Sequence, residues 1–522
     1  MNYKRSSVFV MMAVSAVAVM LVDGCSESSP GTTMVDSGTQ DVGIMSNGDG
    51  GADATSGGDS AVNDEGTVDT APDQAPTAQS SLSRTGLFIS DIHFNPFWDP
   101  GIAAEVVDAP ASQWDAIFSR STQTVFAQHS HDTNFPLLKS ALATMQQKVP
   151  NPDVIFVSGD MLVHTFQTLY NQNAKSPSPA GYQVFVNTTE QYLAMELSAA
   201  FPAAQILPTL GDWDTDGGTT ASYASSGFLA SFASSWSSAV NRYGGAPDFQ
   251  TTFSSGGYYA TSFPIDPQAR LIGVYTQPWA AECTVGCAPD VSSLGSSEIQ
   301  WLTAQLADAR SHQQHVWLLG HVPPGIDANS TVANQSAGST CSASIVPFWA
   351  DIYSGPLYSL FSEYSDVLTF GVFAHEHFDD LRLFRDASGN PIFGMKLPPS
   401  ITPLHTNPAF VQFAYDPKAG TITDTTTWYL TNLTSSTTAD SAIWSQEYAF
   451  DASYGQTAFD SSGIASAIVK IQSLPAAQAS YMSYYPTMFS AGVPSGISPF
   501  SAYQCALNNL GVADYTQCYC SP

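Results

Sequence analysis

Five short apolar runs recur along the chain, and each ends in a knot of polar residues. Val154-Ile155-Phe156-Val157 runs into Ser158-Gly159-Asp160. Gly86-Leu87-Phe88-Ile89-Ser90 leads to Asp91-Ile92-His93. Gln205 to Leu210 leads to Gly211-Asp212-Trp213-Asp214, His315 to Leu319 to Gly320-His321, and Val367 to Phe373 to Ala374-His375-Glu376-His377. Apolar, β-branched runs of four to eight residues fit strands buried on both faces of a mainly parallel sheet. Ligands in open α/β sheets bind just beyond the carboxyl ends of the strands. The pattern therefore predicts five strands that deliver Asp91, His93, Asp160, Asp212, His321, His375 and His377 to one sheet edge.

Helical spacing fills the intervals. Leu137, Leu138, Leu142 and Met145 mark helical structure in 112–148, crossing over from the first strand to the Asp160 strand. Further helices are expected at 188–200 and at 296–312, where Ile299, Leu302, Leu306 and Ala309 share a face. Residues 218–243, rich in Ser, Phe and Trp, read as an inserted helical segment of the kind that shapes substrate access. Two strands are expected within 258–276. The runs 393–397, 410–416 and 421–433 read as closing strands of a second sheet. The aromatic tail 439–522 reads as helical.

The amino-terminal end changes character. Lys4 and Arg5 precede an apolar run from Val8 to Val22, the pattern of an export signal over 1–25, too short for a convincing membrane span. It closes on Val22-Asp23-Gly24-Cys25, which resembles a bacterial lipobox with Cys25 lipidated; Asp23 is atypical there, and an ordinary cleaved signal is the alternative. Residues 26–83 are Gly, Ser, Thr, Ala and Asp with almost no aromatics, and read as a disordered acidic tether. The chain is thus expected to be exported to the bacterial cell envelope, touching membrane only through Cys25.

Composition is that of a globular protein, with 43% hydrophobic and 12% aromatic residues. Charge is lopsided: 15 basic against 45 acidic residues, a net charge of −30. That argues against a nucleic-acid-binding surface and against attraction to anionic membranes. Solubility is the plain reading of the charge. Besides Cys25 there are six cysteines, Cys283, Cys287, Cys341, Cys505, Cys518 and Cys520. An even number in an exported chain predicts three disulfides, with fifteen pairings open; a zinc knuckle at Cys283 and Cys287 is the rival.

Mixed carboxylate and imidazole ligands suit divalent transition metals. Seven are too many for one tetrahedral ion and fit two ions that share a carboxylate. In order, Asp91-x-His93, Gly159-Asp160, Gly211-Asp212-Trp213, Gly320-His321 and Ala374-His375-x-His377 resemble the motifs of the calcineurin-like metallophosphoesterases. Gly320-His321-Val322-Pro323-Pro324-Gly325, His164, Pro399-Ser400-Ile401-Thr402-Pro403 and Asn407-Pro408 narrow the resemblance to the acid sphingomyelinase-like phosphodiesterases, over residues 84–435. The resemblance implies an α/β fold, a four-layer αββα sandwich over 84–435, with a helical, Cys-containing extension at 436–522. It implies one metal on Asp91, His93, Asp160 and His377 and a second on Asp160, Asp212, His321 and His375. Zinc is the first expectation, with manganese or iron as alternatives. The implied reaction is phosphoester hydrolysis by a metal-activated hydroxide.

Two departures stand out. The family carries Asn where Asp212 stands, and commonly a His that protonates the leaving group where Trp213 stands. Trp cannot titrate, so His164 is the candidate acid. His405 could border the substrate pocket or be structural. Glu376, Asp379 and Asp380 read as supporting or surface groups, and His129 and His131 as surface residues. Two readings stay open: an exported phosphodiesterase acting as a monomer on sphingomyelin-like, nucleotide or other small phosphodiesters, with polyphosphate as a variant; or a non-catalytic binding protein on a degraded scaffold, for which Asp212 and Trp213 speak.

Overall fold

The computed structural model describes residues 84–521 apart from 221, 223, 264–265, 287–290, 437, 490 and 492–498. The export signal, Cys25, the tether and Cys287 lie outside the described residues. Twelve strands are described: β1 (Arg84–Ile89), β2 (Val154–Val157), β3 (Gln205–Pro208), β4 (Tyr259–Phe263), β5 (Asp266–Gly273), β6 (His315–Leu319), β7 (Leu368–Val372), β8 (Asp380–Arg385), β9 (Pro391–Leu397), β10 (Ala409–Asp416), β11 (Thr421–Leu430) and β12 (Trp444–Ala449). They form two six-stranded mixed sheets, in the orders β12-β11-β10-β1-β2-β3 and β4-β5-β6-β7-β9-β8.

The apolar runs become the parallel centres of both sheets. β1, β2 and β3 are parallel, as are β5, β6, β7 and β9. Every residue of β2 and β3 is buried, as expected of strands covered on both faces. The sheets pack face to face through large aromatics. Phe88 lies 6.0 Å from Phe370, and Phe156 6.0 Å from Trp317, between ring centroids.

Helices cover the outer faces. The helix Phe135–Lys148 starts at Asn134, whose side chain accepts from the Leu137 N–H, with proline in the first turn. Ser178 caps the helix Pro179–Ala200 in the same way. On the second sheet, Leu302, Leu306 and Ala309 of the helix Val291–Ser311 join the core built on Ile272, Val316 and Leu318. The result is a four-layer αββα fold with a helical carboxyl-terminal region.

Three expectations are corrected. The ligand-bearing strands do not share one sheet edge: β1, β2 and β3 belong to one sheet, β6 and β7 to the other. Nor do β10 and β11 close the second sheet. β10 runs antiparallel to β1, with Arg84 opposite Tyr415, and β11 pairs with β10; the alternation of apolar residues sets a strand's faces but not its sheet. Finally, the boundary at 435 falls inside the first sheet, because β12 pairs with β11. Only beyond it does the tail become helical. Its helix Ser461–Ser473 packs on the second sheet, with Ile464 over Gly394.

Disulfides tie this tail down. Cys341 joins Cys520 across 179 residues, and Cys505 joins Cys518. Cys283 is disulfide-bonded as well, to a partner outside the described residues. Among the described residues, no helix is long and apolar enough to cross a membrane.

Candidate metal centre

The loops after β1, β2, β3, β6 and β7 converge where the two sheets meet. Two groups of four candidate ligands result, Asp91, His93, Asp160 and His377, and Asp160, Asp212, His321 and His375, with Asp160 common to both. Within each group, one ligand atom from every residue lies within 4.8 Å of the others. His164 forms a further group with His93 and His377.

The backbone is strained at this point. Asp91, His93, Asp160, His375 and His377 have φ of 46°, 42°, 54°, 75° and 66°. This left-handed region costs a non-glycine residue about 1–3 kcal/mol, and it persists only where surroundings enforce it. Here they do. The Asp91 N–H donates to Gly159 O, the His93 N–H to Asp160 O, and the Ser400 N–H to His377 O, at 2.9–3.1 Å. Asp214, which ends the third polar knot but was given no role there, braces the same turn. Its Oδ1 accepts from the N–H groups of Met161 and Leu162, and its Oδ2 from that of Gly211.

Glycine is required where the loops touch. A Cβ on Gly211 would stand 2.0 Å from Asp160 Oδ1 and 2.3 Å from Asp160 N. Gly159, at φ 89°, presses against Gly211 and the His321 ring.

The histidines are oriented from behind. Nδ1 of His93 faces Leu162 O at 2.9 Å, and Nδ1 of His321 faces Ser158 O at 2.7 Å. A proton held there leaves Nε2 as a lone pair aimed into the site, the usual arrangement for a metal-binding imidazole. Nε2 of His321 lies 2.9 Å from Asp212 Oδ1 and 3.3 Å from Asp160 Oδ2. His375 Nδ1 lies 3.0 Å from Asp212 Oδ1. Asp160 Oδ1 accepts from the Trp213 backbone N–H at 3.0 Å, so position 213 aims the shared carboxylate through its main chain.

The donors match the cations. Both oxygens of fully buried Asp91 lack any donor among the described residues, and Nε2 of His93 faces Nε2 of His377 at 3.2 Å. Buried groups rarely stay unpartnered, and two opposed imidazole nitrogens repel unless a proton or cation intervenes. Electrostatics agree. Burial pushes the Asp91 carboxyl up, against the pull of His321. Asp160 is held well below the carboxylate range because His321 and His93 outweigh its burial. Asp212 sits at about 2: burial and Asp160 push it up, and His375 and His321 prevail. In return the carboxylates lift His93 and His375 to about 9 against the effect of burial. Three buried carboxylates thus call for compensating positive charge, and the cluster suits two metal ions.

The rim carries the remaining candidates. His164 stacks on His93 with centroids 3.8 Å apart, and Trp213 meets it edge-on at 5.1 Å. Asp132, absent from every motif, holds His164: its Oδ1 is 2.7 Å from Nδ1, and its Oδ2 accepts from the backbone N–H. No local signal around Asp132 announces this pairing. His405 stands 6.0 Å from His377, ring to ring. His129 instead stacks on Phe489 and bonds Asn407.

Glu376 and Asp380 are neither ligands nor surface groups. They clamp Arg382, fully buried, at 2.5 and 3.0 Å, while Asp379 pairs with buried Lys396.

No family model matches the chain. Among curated proteins, it is 26% identical over 347 residues to the sphingomyelinase phosphodiesterase D of Dictyostelium discoideum, covering 64% of this chain and 68% of that one. It is 22% identical over 334 residues to the human cyclic GMP-AMP phosphodiesterase SMPDL3A, covering 62% and 68%. It is 22% identical over 398 residues to the human acid sphingomyelinase-like phosphodiesterase 3b, covering 74% and 80%. With the ordered motifs converging as described, the chain is similar over 62–74% of its length to acid sphingomyelinase-like phosphodiesterases, which are metal-dependent phosphoric ester hydrolases.

Proposed function

We propose that this chain is an exported phosphodiesterase that works with two divalent metal ions, zinc first among them, on small soluble phosphodiesters. The convergence of two four-donor groups on Asp160 carries the reading. Asp91, His93 and His377 would complete one metal site, and Asp212, His321 and His375 the other. The ions, when bound, supply Lewis acidity toward phosphoryl oxygens and lower the pKa of water.

The chain's own residues do the rest. The fixed imidazole tautomers and the Trp213 N–H hold the donors in place before substrate arrives. His164, oriented by Asp132, delivers a proton to the departing oxygen. The Trp213 indole cannot titrate, so this task falls on His164 at that part of the rim.

The names of the relatives support a diester rather than a monoester, and the net charge of −30 disfavours long polyphosphate. Disulfides support an oxidising compartment and hence export. Lipid anchoring at Cys25, a monomeric state and the lack of a nucleic-acid-binding surface are part of the same proposal. The test is hydrolysis of bis(4-nitrophenyl) phosphate against 4-nitrophenyl phosphate with zinc and with manganese, using D160N as control. Metal-dependent turnover favouring the diester and lost in D160N is expected. No turnover of any phosphoester by the metal-loaded chain would favour the non-catalytic reading, for which Trp213 is the motive.

A further inference from the structure

The loop between β9 and β10 is mounted more firmly than a surface connection needs to be. The Ile401 and Thr402 N–H groups donate to Ser90 O and Asp91 O, tying the loop directly to the strand that bears the first candidate ligands. Ser400 Oγ donates to Thr402 O at 2.7 Å and lies 3.0 Å from Thr406 Oγ1. The Ser130 N–H donates to Pro403 O and Leu404 O. Asn407 bonds Thr487 O and the ring of His129.

This rigid mount presents His405. Its ring lies 6.0 Å from His377 and 6.4 Å from Phe378, nearly parallel to the latter at 18°. It is exposed, and no described residue hydrogen-bonds either ring nitrogen. His164 is also a neighbour of His377, at 5.9 Å between ring centroids, so both imidazoles stand beside the same candidate ligand. An imidazole with free N–H capacity, held on a braced loop beside a metal ligand, is a preorganised donor facing the place where a phosphoryl group would sit. Position 213 offers only an indole where the resemblance leads one to expect an imidazole. His405 returns an imidazole to the rim from a different loop.

We propose that His405 is a substrate-contacting residue, whose ring N–H hydrogen-bonds a phosphoryl oxygen of the bound ester beside His164. This rests on the phosphodiesterase reading above and adds to it a second rim contact. A hydrogen bond to a charged oxygen is worth enough to change affinity by about tenfold or more.

The full chain loaded with zinc tests this in wild-type, H405A and H405Q forms. Three quantities decide it: KM and kcat for bis(4-nitrophenyl) phosphate, and the calorimetric Kd for orthophosphate. In H405A, KM and the phosphate Kd should both rise about tenfold, with kcat changed less. H405Q, which keeps an N–H donor, should recover most of the loss; a merely structural role would not give that rescue. Values within about twofold of wild type in H405A, with metal content unchanged, would overturn the proposal. Should the wild type bind phosphate without hydrolysing the diester, the phosphate Kd still decides the role of His405, and the failure counts against the phosphodiesterase reading. Absence of phosphate binding by the metal-loaded wild type would overturn both.

Discussion

Asp132 grips His164 twice, through the ring Nδ1 at 2.7 Å and through the backbone N–H at 3.1 Å. Burial alone would raise the Asp132 carboxyl, but the His164 hydrogen bond and the charges of His93 and His164 hold it below its ordinary value. It therefore stays ionised at working pH, and its stabilising contribution is lost only as pH falls through that depressed value. The pairing fixes which His164 nitrogen faces the substrate. D132N should cut turnover of alkyl-leaving diesters about 10–100-fold, and H164A at least as much. Both should spare 4-nitrophenyl leaving groups, which need no proton. Rates against leaving-group pKa check this; equal losses across the series would remove His164 as the acid.

Gly211 leaves no room for a side chain beside Asp160. In G211A the added Cβ must displace the shared carboxylate, with which it would overlap at 2.0 Å. Metal content measured by emission spectrometry should fall below that of the wild type. Turnover should fall by about 100-fold or more.

Arg382 is fully buried between Glu376 and Asp380, donates to Ile326 O and lies over Phe348. R382A strands two buried carboxylates and should cost about 3–5 kcal/mol in urea unfolding. A loss below about 1 kcal/mol would mean that water relieves the carboxylates.

Glu190 is 1% exposed, and neither of its oxygens meets a donor among the described residues. Burial, with Asp214 and Asp160 adding to it, holds its carboxyl well above the ordinary range. For such a group the folding contribution is fully present below the unfolded value and is lost as pH rises through the folded one. E190L should therefore gain more over wild type at pH 8 than at pH 5, by about 1–3 kcal/mol at the higher pH. Thermal melts of the two proteins at both pH values read the difference.

What the sequence disclosed follows from where strands end. The seven candidate ligands were legible because each stands directly after an apolar run, and the topology then gathers those ends. Asp132 was not legible, since it acts on His164, 32 residues away, and lies in no repeated pattern. Asp214 stood in a polar knot, but its grip on Met161 and Leu162 exists only once two loops meet. Nothing in the sequence marks Arg382 as buried between Glu376 and Asp380. The sheet assignment of β10 and β11 escaped for a related reason: both sheets accept an alternating strand, and only pairing with β1 chooses between them. Gly211 was visible as a motif residue, but its contact with Asp160 exists only once two loops meet.

The central claim is that two cations on one shared carboxylate drive hydrolysis. Its most direct test is turnover of bis(4-nitrophenyl) phosphate by the metal-free chain as zinc is added in measured equivalents, beside D160N. The rate should climb to a break at two zinc ions per chain, while D160N stays at background. A break at one equivalent, or full activity in D160N, would contradict a binuclear centre bridged by Asp160.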